Sequence, residues 1–261
     1  MPDLTGMIRK AISAALVLGG LAATTAVTAQ AGEVRIAVAS NFTAPMREIS
    51  SAFEQATGHT AIVSFASTGK IFAQITQAAP YDVFLSADQE RPMQLEERGL
   101  AVEGSRFTYA LGRLALFGGG APVTGPQALD EEADGKIAIA NPDLAPYGRA
   151  AIQALRDLFP DRDFSSRLVK GENISQTLQF IETGNAPLGF VALSQIITNE
   201  PTQYWLVPQA MHAPIAQDAV QLQHGAENPA AQAFLAYLKS PEAAQVIARF
   251  GYAPANSRDG S

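Results

Sequence analysis

Short apolar runs alternate along this chain with polar turns and with segments whose apolar residues recur every three or four positions. The run Val34–Ala39 is apolar at nearly every position, which is typical of a strand buried on both faces of a sheet. Met46, Ile49 and Phe53 follow at helical spacing, and Gly58 ends that segment. Because the same order of strand, turn and helix returns along the chain, the pattern predicts parallel βαβ units with helices on both faces of each sheet.

The remaining elements are predicted from the same alternation. Strands are predicted at Thr60–Phe65, Val83–Leu85, Tyr109–Phe117, Ile137–Ala140, Leu168–Val169, Leu188–Leu193, Trp205–Val207 and Ala219–Leu222. Helices are predicted around Ile71, Phe72 and Ile75, at Asp88–Arg98, Arg149–Phe159 and Ile174–Glu182, from Ser194, and at Pro229–Leu238 and Ala243–Phe250. From Gly251 onward the chain is expected to fray.

These elements divide into two groups. The strand Ala219–Leu222 is expected to return to the sheet that the first strands form. We therefore predict an α/β fold with two lobes, each built on a mostly parallel sheet flanked by helices. Lobe 1 is predicted to combine residues 32–111 with residues 213–261, and lobe 2 to span residues 112–212.

Residues 1–31 have the composition of a secretory signal peptide. Arg9 and Lys10 precede the uncharged, mostly apolar stretch Ala11–Ala26, and Ala29 and Ala31 form a small-x-small cleavage pattern. The alternative is a membrane anchor, for which the stretch is short and weakly apolar. Export of a chain that has no cysteine favours a bacterial periplasm.

Composition excludes several classes of site. The chain has 261 residues, a net charge of −7, no cysteine and three histidines. The absence of cysteine excludes a disulfide scaffold and thiolate chemistry, and the negative charge argues against a nucleic-acid partner. We expect a monomer without a cofactor. His212 is expected in a solvated loop, and Asp82 and Asp88 as a turn acid and a helix N-cap rather than as paired acids.

Four polar turns follow predicted strands and precede predicted helices. In open α/β sheets, ligands bind at this end of the strands, where free amide groups of helix N-termini favour anions. The side chains offered there are mostly neutral hydrogen-bond donors, which suit a fully ionised tetrahedral oxyanion. The alternative is that these residues only cap their helices. The turns are Ser40-Asn41, Ser67-Thr68-Gly69, Pro146-Tyr147-Gly148 and Glu172-Asn173-Ile174.

Two other functions compete with this hypothesis. A different anion, such as sulfate or a small organic acid, would use the same donors, because the radius of a cleft cannot be obtained from sequence. A secreted hydrolase would use Ser40 or Ser67 as nucleophile with Asp82 as helper, but no histidine lies near these turns. The nucleophile-elbow, Walker and dinucleotide-binding motifs are absent from the sequence.

Six short segments, in this order and spacing, resemble the periplasmic molybdate-binding proteins, the solute receptors of molybdate and tungstate ABC importers. The resemblance extends from Val34 to Tyr252. It implies a two-lobed periplasmic binding protein that is not an enzyme, holds its oxyanion in the interlobe cleft by hydrogen bonds alone, and delivers it to a membrane permease. Molybdenum would be present only within the oxyanion, without direct protein ligands. The segments are Val38–Thr43, Phe65–Lys70, Tyr81–Asp88, Asn141-Pro142 with Ala145–Gly148, Ala186–Val191 and Tyr237–Ala244.

The resemblance also implies a set of ligand-binding residues. The second-turn hydroxyl is assigned to Thr68, with Ser67 as the close alternative. Many members of the family place a ligand tyrosine where this chain has Ala192. A variant group instead has asparagine after the first Ser or Thr and tyrosine in the Pro-Tyr-Gly turn, as here. The implied set is Ser40, Asn41, Thr68 or Ser67, Tyr147, and the backbone N–H of Ile174.

Overall fold

The computed structural model describes residues 31–131 and 135–254. The predicted signal peptide therefore lies, up to residue 30, outside the described residues. Within them, no helix combines the length and the hydropathy that crossing a bilayer requires.

Two five-stranded sheets organise the described chain. The strand order is β2-β1-β3-β10-β4 in the first sheet and β7-β6-β8-β5-β9 in the second. The strands are β1 (Glu33–Ala39), β2 (Thr60–Ala66), β3 (Val83–Leu85), β4 (Phe107–Gly112), β5 (Leu114–Phe117), β6 (Ile137–Ala140), β7 (Leu168–Gly171), β8 (Leu188–Ala192), β9 (Tyr204–Leu206) and β10 (Ile215–Gln221).

Both sheets are mixed rather than mostly parallel. In the first sheet, β1 pairs in parallel with β2 and β3, whereas β10 is antiparallel to both β3 and β4. In the second sheet, β6 pairs in parallel with β7 and β8, whereas β5 is antiparallel to both β8 and β9. The antiparallel strands are those next to the points where the chain passes between the sheets.

The apolar run predicted as one strand, Tyr109–Phe117, is two strands in different sheets. β4 ends at Gly112 in the first sheet, and β5 begins at Leu114 in the second, so that Arg113 alone separates them. The prediction of one strand was wrong because the apolar run continues through the crossing, and hydrophobic periodicity carries no information about which sheet a residue joins.

Helices connect the strands and cover both faces of the sheets. Asn173, Asn228 and Ser240 cap their helices with side-chain oxygens, as residues of these types commonly do. The helices are α1 (Thr43–Thr57), α2 (Thr68–Thr76), α3 (Glu90–Glu97), α4 (Ala128–Glu131), α5 (Pro146–Leu158), α6 (Ile174–Glu182), α7 (Leu193–Ile196), α8 (Pro229–Leu238) and α9 (Pro241–Arg249). A short 3-10 segment, Ser40–Phe42, precedes α1.

Helix α5 begins three residues earlier than the sequence pattern predicts. Pro146 occupies its first turn, where the missing N–H costs nothing, and Tyr147 follows it inside the helix rather than in a loop. Gly148 allows the helix to approach β6 closely: a Cβ atom there would lie 2.1 Å from the carbonyl oxygen of Ala140. This approach fixes the direction in which the start of α5 presents Tyr147.

Alternate residues of the central strands enter different apolar clusters. In β1, Ile36 packs on the side of α1, α8 and α9, whereas Ala37 packs on the side of α2 and α3. In β5, Leu116 packs on the side of α5, whereas Ala115 packs on the side of α6 and α7. Each sheet is therefore covered on both faces, as strands with continuous apolar runs require.

Over the described residues 252–254, the chain does not fray as predicted. The side chain of Tyr252 is buried, and Ala253 exchanges two backbone hydrogen bonds with Leu111 of β4, at 2.9 and 3.0 Å. The prediction failed because a polar, glycine-containing terminus has no periodic pattern, and its stability comes from an edge strand that is distant in sequence.

We expect the chain to lose stability when it is shortened to end at Gly251. This deletion removes a buried tyrosine and leaves its hydrogen-bond partners unsatisfied, so the free energy of unfolding should fall by about 3 kcal/mol or more. Urea unfolding followed by circular dichroism measures the change. The control ends at Pro254 and should match the full chain; equal stability of both shortened chains would contradict the burial of Tyr252.

Candidate functional site

The starts of four helical segments meet between the ends of the two sheets. Ser175, in the first turn of α6, donates its hydroxyl to the carbonyl oxygen of Ser40 at 3.3 Å. The amide of Gly69, in the first turn of α2, donates to the carbonyl oxygen of Leu144 just before α5, at 2.8 Å. The 3-10 segment, α2, α5 and α6 thus direct their free amide groups and the positive ends of their dipoles toward one region.

All the predicted site residues belong to this region and are buried. Such depth is unusual for hydroxyl and amide side chains, which are exposed unless they have partners. None of these residues is more than 5% exposed: Ser40 5%, Asn41 3%, Ser67 3%, Thr68 1%, Tyr147 2% and Ile174 3%.

The two hydroxyls of the second turn differ in their partners. Thr68 Oγ1 accepts a hydrogen bond from the amide of Ala87 at 3.1 Å. Ser67 is at the N-cap position of α2, yet its side chain caps no amide, and its Oγ is buried without a hydrogen-bond partner. Because a buried hydroxyl without a partner costs free energy, this atom indicates a binding position rather than a cap.

Helix α6 presents a free backbone donor. Asn173 Oδ1 accepts hydrogen bonds from the amides of Ser175 at 2.9 Å and Gln176 at 3.0 Å. Asn173 therefore caps its helix, as the alternative to ligand binding predicts. This cap does not include the amide of Ile174, the first residue of the helix. The Ile174 side chain packs in the same apolar cluster as Ala39, the residue before Ser40.

The side-chain amide of Asn41 is occupied by hydrogen bonds within the protein. Both hydrogens of its Nδ2 are committed, one to Gln217 Oε1 and one to the Tyr252 hydroxyl, each at 2.9 Å. Its carbonyl oxygen accepts from the hydroxyls of Ser194, at 2.8 Å, and Tyr252, at 2.9 Å. The donor that Asn41 retains is its backbone N–H, at the start of the 3-10 segment.

Sequence reasoning missed the residues behind Asn41. Gln217 is completely buried: its Oε1 also accepts from the Tyr109 hydroxyl at 3.0 Å, and its Nε2 donates to the Tyr147 hydroxyl at 3.3 Å. Gln217 lies before the predicted strand Ala219–Leu222, because the strand β10 begins earlier, at Ile215, so the sequence pattern gave no signal for its burial. For Tyr252 there was no signal, because its position was assigned to a frayed end.

Gly112 makes room for the phenol of Tyr147. A Cβ atom at Gly112 would lie 2.2 Å from the Tyr147 hydroxyl oxygen and 2.8 Å from Gln217 Nε2. Any other residue at the end of β4 would therefore displace this hydroxyl. The glycine belongs to the site although it has no side chain to contribute.

Three buried phenols remain protonated here at neutral pH. Burial raises the pKa of Tyr109 and of Tyr147 well above the usual value, and the neighbouring phenol of Tyr252 adds to both shifts. Burial likewise raises the pKa of Tyr252 to about 12. Each of these hydroxyls therefore carries a hydrogen that it can donate.

An ion cluster joins the two sheets beside the site. Asp88 Oδ2 pairs with Arg91 Nη1 at 2.5 Å and with Arg149 Nη2, on α5, at 2.8 Å. Arg91 Nη2 also donates to the carbonyl oxygen of Asp143 at 3.0 Å. Asp88 was predicted as the N-cap of its helix; the N-cap position is Gln89, but Asp88 Oδ1 accepts from the amide of Arg91 in the first turn of α3.

Asp82 is held by structural partners, whereas His212 Nε2 is buried without a hydrogen-bond partner. The Asp82 carboxylate accepts from the Arg35 amide and Asn228 Nδ2 and pairs with His224 Nδ1. His212 is 7% exposed, so its prediction as a solvated residue was wrong; its Nδ1 lies 2.8 Å from the carbonyl oxygen of Ala213. The segment between the sheets is packed, which loop composition does not reveal. In residues 31–131 and 135–254, no three acidic or histidine side chains are arranged to hold a metal ion.

The match to a known family spans both sheets. Residues 34–253 match the family of bacterial extracellular solute-binding proteins. The chain belongs to this family. As a solute-binding protein it has the predicted two-lobed α/β fold of periplasmic binding proteins, with the mixed sheets described above.

Relatives of this solute-binding protein match over nearly their full length. The molybdate-binding protein ModA of Rhodobacter capsulatus is 47% identical over 243 residues, covering 93% of this chain and 94% of that protein. The protein of the same name from Azotobacter vinelandii is 49% identical over 232 residues, covering 87% and 92%. The solved structure of the Azotobacter vinelandii periplasmic molybdate-binding protein has a TM-score of 0.79 and 35% identity, covering 84% of this chain and 98% of that one.

We predict that Tyr109, Tyr147 and Tyr252 resist ionisation in the folded protein. The stability that their burial supports is complete below the pKa of an unfolded tyrosine, near 10, and is lost as the pH rises toward their higher folded values. In an alkaline titration at 295 nm, part of the phenolate signal from the six tyrosines should appear together with unfolding. Tyr147→Phe should reduce that part, and ionisation of all six in one step near pH 10 would contradict the prediction.

Proposed function

We propose that this solute-binding protein captures molybdate, and also tungstate, outside the cytoplasm and delivers it to the permease of an ABC importer. The observation that carries the proposal is the buried, unpartnered hydroxyl of Ser67, at the meeting point of four helix starts. The relatives that are 47% and 49% identical carry the name molybdate-binding protein, which supports the choice of anion.

The proposed site consists only of neutral donors. Two are serine hydroxyls that follow strands of the first sheet, and one is the phenol of Tyr147, which follows a strand of the second sheet. The other two are backbone amides. We assign the second-turn contact to Ser67 rather than Thr68, because Ser67 Oγ is buried without any hydrogen-bond partner, whereas Thr68 Oγ1 already has one in the amide of Ala87. The donors are Ser40 Oγ, the N–H of Asn41, Ser67 Oγ, the hydroxyl of Tyr147 and the N–H of Ile174.

Donors without charge suit a fully deprotonated tetrahedral dianion. Every oxygen of such an ion accepts hydrogen bonds, and charge-assisted bonds from neutral groups are strong in a buried site. Ala192 cannot supply a phenol, but it packs in the same buried cluster as Tyr147. We propose that the phenol of Tyr147 donates to the anion in place of the tyrosine that many members of the family have at the position of Ala192.

The remaining assignments follow from family membership and stay within this proposal. The protein is a binding protein and not an enzyme, like its relatives. We place it in the periplasm after removal of residues 1–31, as a monomer without a cofactor and without a nucleic-acid partner. Residues 32–111 with 213–261, and residues 112–212, are proposed as the two lobes that close on the anion.

Sulfate is the second candidate, since it is also a tetrahedral dianion that only accepts hydrogen bonds. Hydrogen phosphate differs because it carries a proton that is best paired with a carboxylate, and this set of donors includes none. The hydrolase alternative is not supported, because the carboxylate of Asp82 is occupied by Arg35, Asn228 and His224 rather than by a serine or its base.

Ser67→Ala should weaken molybdate binding. Removing this donor leaves one oxygen of the anion without its hydrogen bond, and we expect a loss of about 1–3 kcal/mol. Isothermal titration calorimetry of the mature chain with molybdate measures it. The matched control is Ser64→Ala, an exposed serine on β2, which should bind like the wild type.

The same titration, extended to tungstate, sulfate and phosphate, tests the choice of anion. The wild type should bind molybdate and tungstate more tightly than sulfate, and phosphate least. Tighter binding of phosphate than of molybdate would contradict the proposed function. Unchanged affinity of Ser67→Ala, beside tight wild-type binding, would contradict only the assignment of this donor.

A further inference from the structure

Gln217 lies directly behind the proposed donors. It connects the half of the site that follows the first sheet with the half that follows the second sheet. It lies on β10 of the first sheet, is completely buried, and reaches Tyr147 on α5, which covers the second sheet. A β-bulge lies at this point: Gln217 is opposite Ala110 and the next residue is opposite Thr108, so that Tyr109 is the extra residue of β4. Bulges of this kind redirect side chains near functional sites, and this one brings the Tyr109 hydroxyl to Gln217.

The partners of Gln217 determine how its amide group is turned. Its Oε1 accepts from Asn41 Nδ2 at 2.9 Å and from the Tyr109 hydroxyl at 3.0 Å. With the oxygen held by two donors, the Nε2 group faces the hydroxyls of Tyr147, at 3.3 Å, and of Tyr252. An amide nitrogen only donates, so the oxygen of Tyr147 accepts in this bond.

The phenol of Tyr147 has one hydrogen, and its bond with Gln217 does not use it. The neighbouring Tyr252 hydroxyl is also within reach of that hydrogen, but its oxygen already accepts from Asn41 Nδ2. We propose that Gln217 is a positioning residue for anion binding, which makes Tyr147 accept on one side and so directs its O–H toward the anion. This inference rests on the proposed function. Gln217 does not contact the anion itself; it acts through the direction of the Tyr147 hydrogen.

The titratable groups that face Gln217 come from three elements. They are the phenols of Tyr109 on β4, Tyr147 on α5 and Tyr252 at the C-terminus. Asp218, the next residue on β10, is held by Arg106 at 2.7 Å and by the Thr108 hydroxyl at 2.6 Å. A carboxyl group introduced at position 217 would therefore meet neutral phenols and the amide of Asn41.

The test is Gln217→Glu, which keeps the shape of the side chain. It replaces the amide group that donates to the Tyr147 hydroxyl with a carboxylate oxygen that accepts from it. When the introduced carboxyl is ionised, its second oxygen accepts the Tyr147 hydrogen and withdraws it from the anion. Calorimetry with molybdate at pH 8 should then show an affinity about 10-fold or more below that of the wild type. Burial raises the pKa of such a carboxyl, so its protonated form, which can donate to Tyr147, should restore affinity as the pH is lowered toward 5.

Two further variants separate this effect from others. Gln221→Glu places a carboxyl on the same strand, at a buried glutamine that donates to the Gly225 carbonyl oxygen, and should leave molybdate affinity independent of pH. In a Tyr147→Phe background there is no phenol hydrogen to redirect, so Gln217→Glu should cost much less there, about 3-fold or less. Simple repulsion between the introduced charge and the anion would persist in that background.

If Gln217→Glu does not fold, Gln217→Met replaces it in the same cycle, and its loss of affinity should likewise shrink in the Tyr147→Phe background. Wild-type affinity of Gln217→Glu at pH 8, or an equal loss with and without the phenol, would overturn the inference. In both cases the wild type still binds molybdate. A wild type that binds neither molybdate, tungstate nor sulfate would instead overturn the proposed function.

Discussion

Hydrogen bonds across the gap between the two sheets determine which hydrogen-bond donors the candidate site offers to a ligand. Donors are gathered there from helix starts, and their directions are fixed by a second row of buried groups, Asn41, Gln217 and Tyr252. A buried polar group that lacks a partner is costly, so each member of this row restricts the orientation of its neighbour. The result is a small region that offers hydrogens on its inner side and has its acceptors occupied by the protein.

This constraint explains why the charged groups lie beside the site rather than in it. Asp88, Arg91 and Arg149 satisfy one another, and their bonds join the same two halves. A cation inside the site would need its own desolvation to be offset, whereas neutral donors bind a dianion without that cost. In the function that we propose, every contact of the anion with both halves would favour the closed arrangement, which would couple capture to closure.

Much of the fold could be predicted because its elements are local. The strand β3 and the helices α6 and α8 have the predicted bounds, since apolar periodicity and capping residues are visible in a short window. The predicted site residues are all buried, near helix starts that follow strands, which is where open α/β sheets bind ligands. What could not be predicted depends on contacts between distant segments: the division of Tyr109–Phe117 between two sheets, the packing of Tyr252, and the choice between Ser67 and Thr68.

The decisive experiment is a crystal structure of the mature chain with molybdate, phased on the anomalous signal of molybdenum. We expect one molybdenum atom between the halves, with the molybdate oxygens at about 2.7–3.1 Å from Ser67 Oγ, the Tyr147 hydroxyl and the Ile174 amide, and with no arginine or lysine in contact. A molybdenum atom placed elsewhere, or one held by a charged side chain while Ser67 remains without a partner, would contradict this expectation.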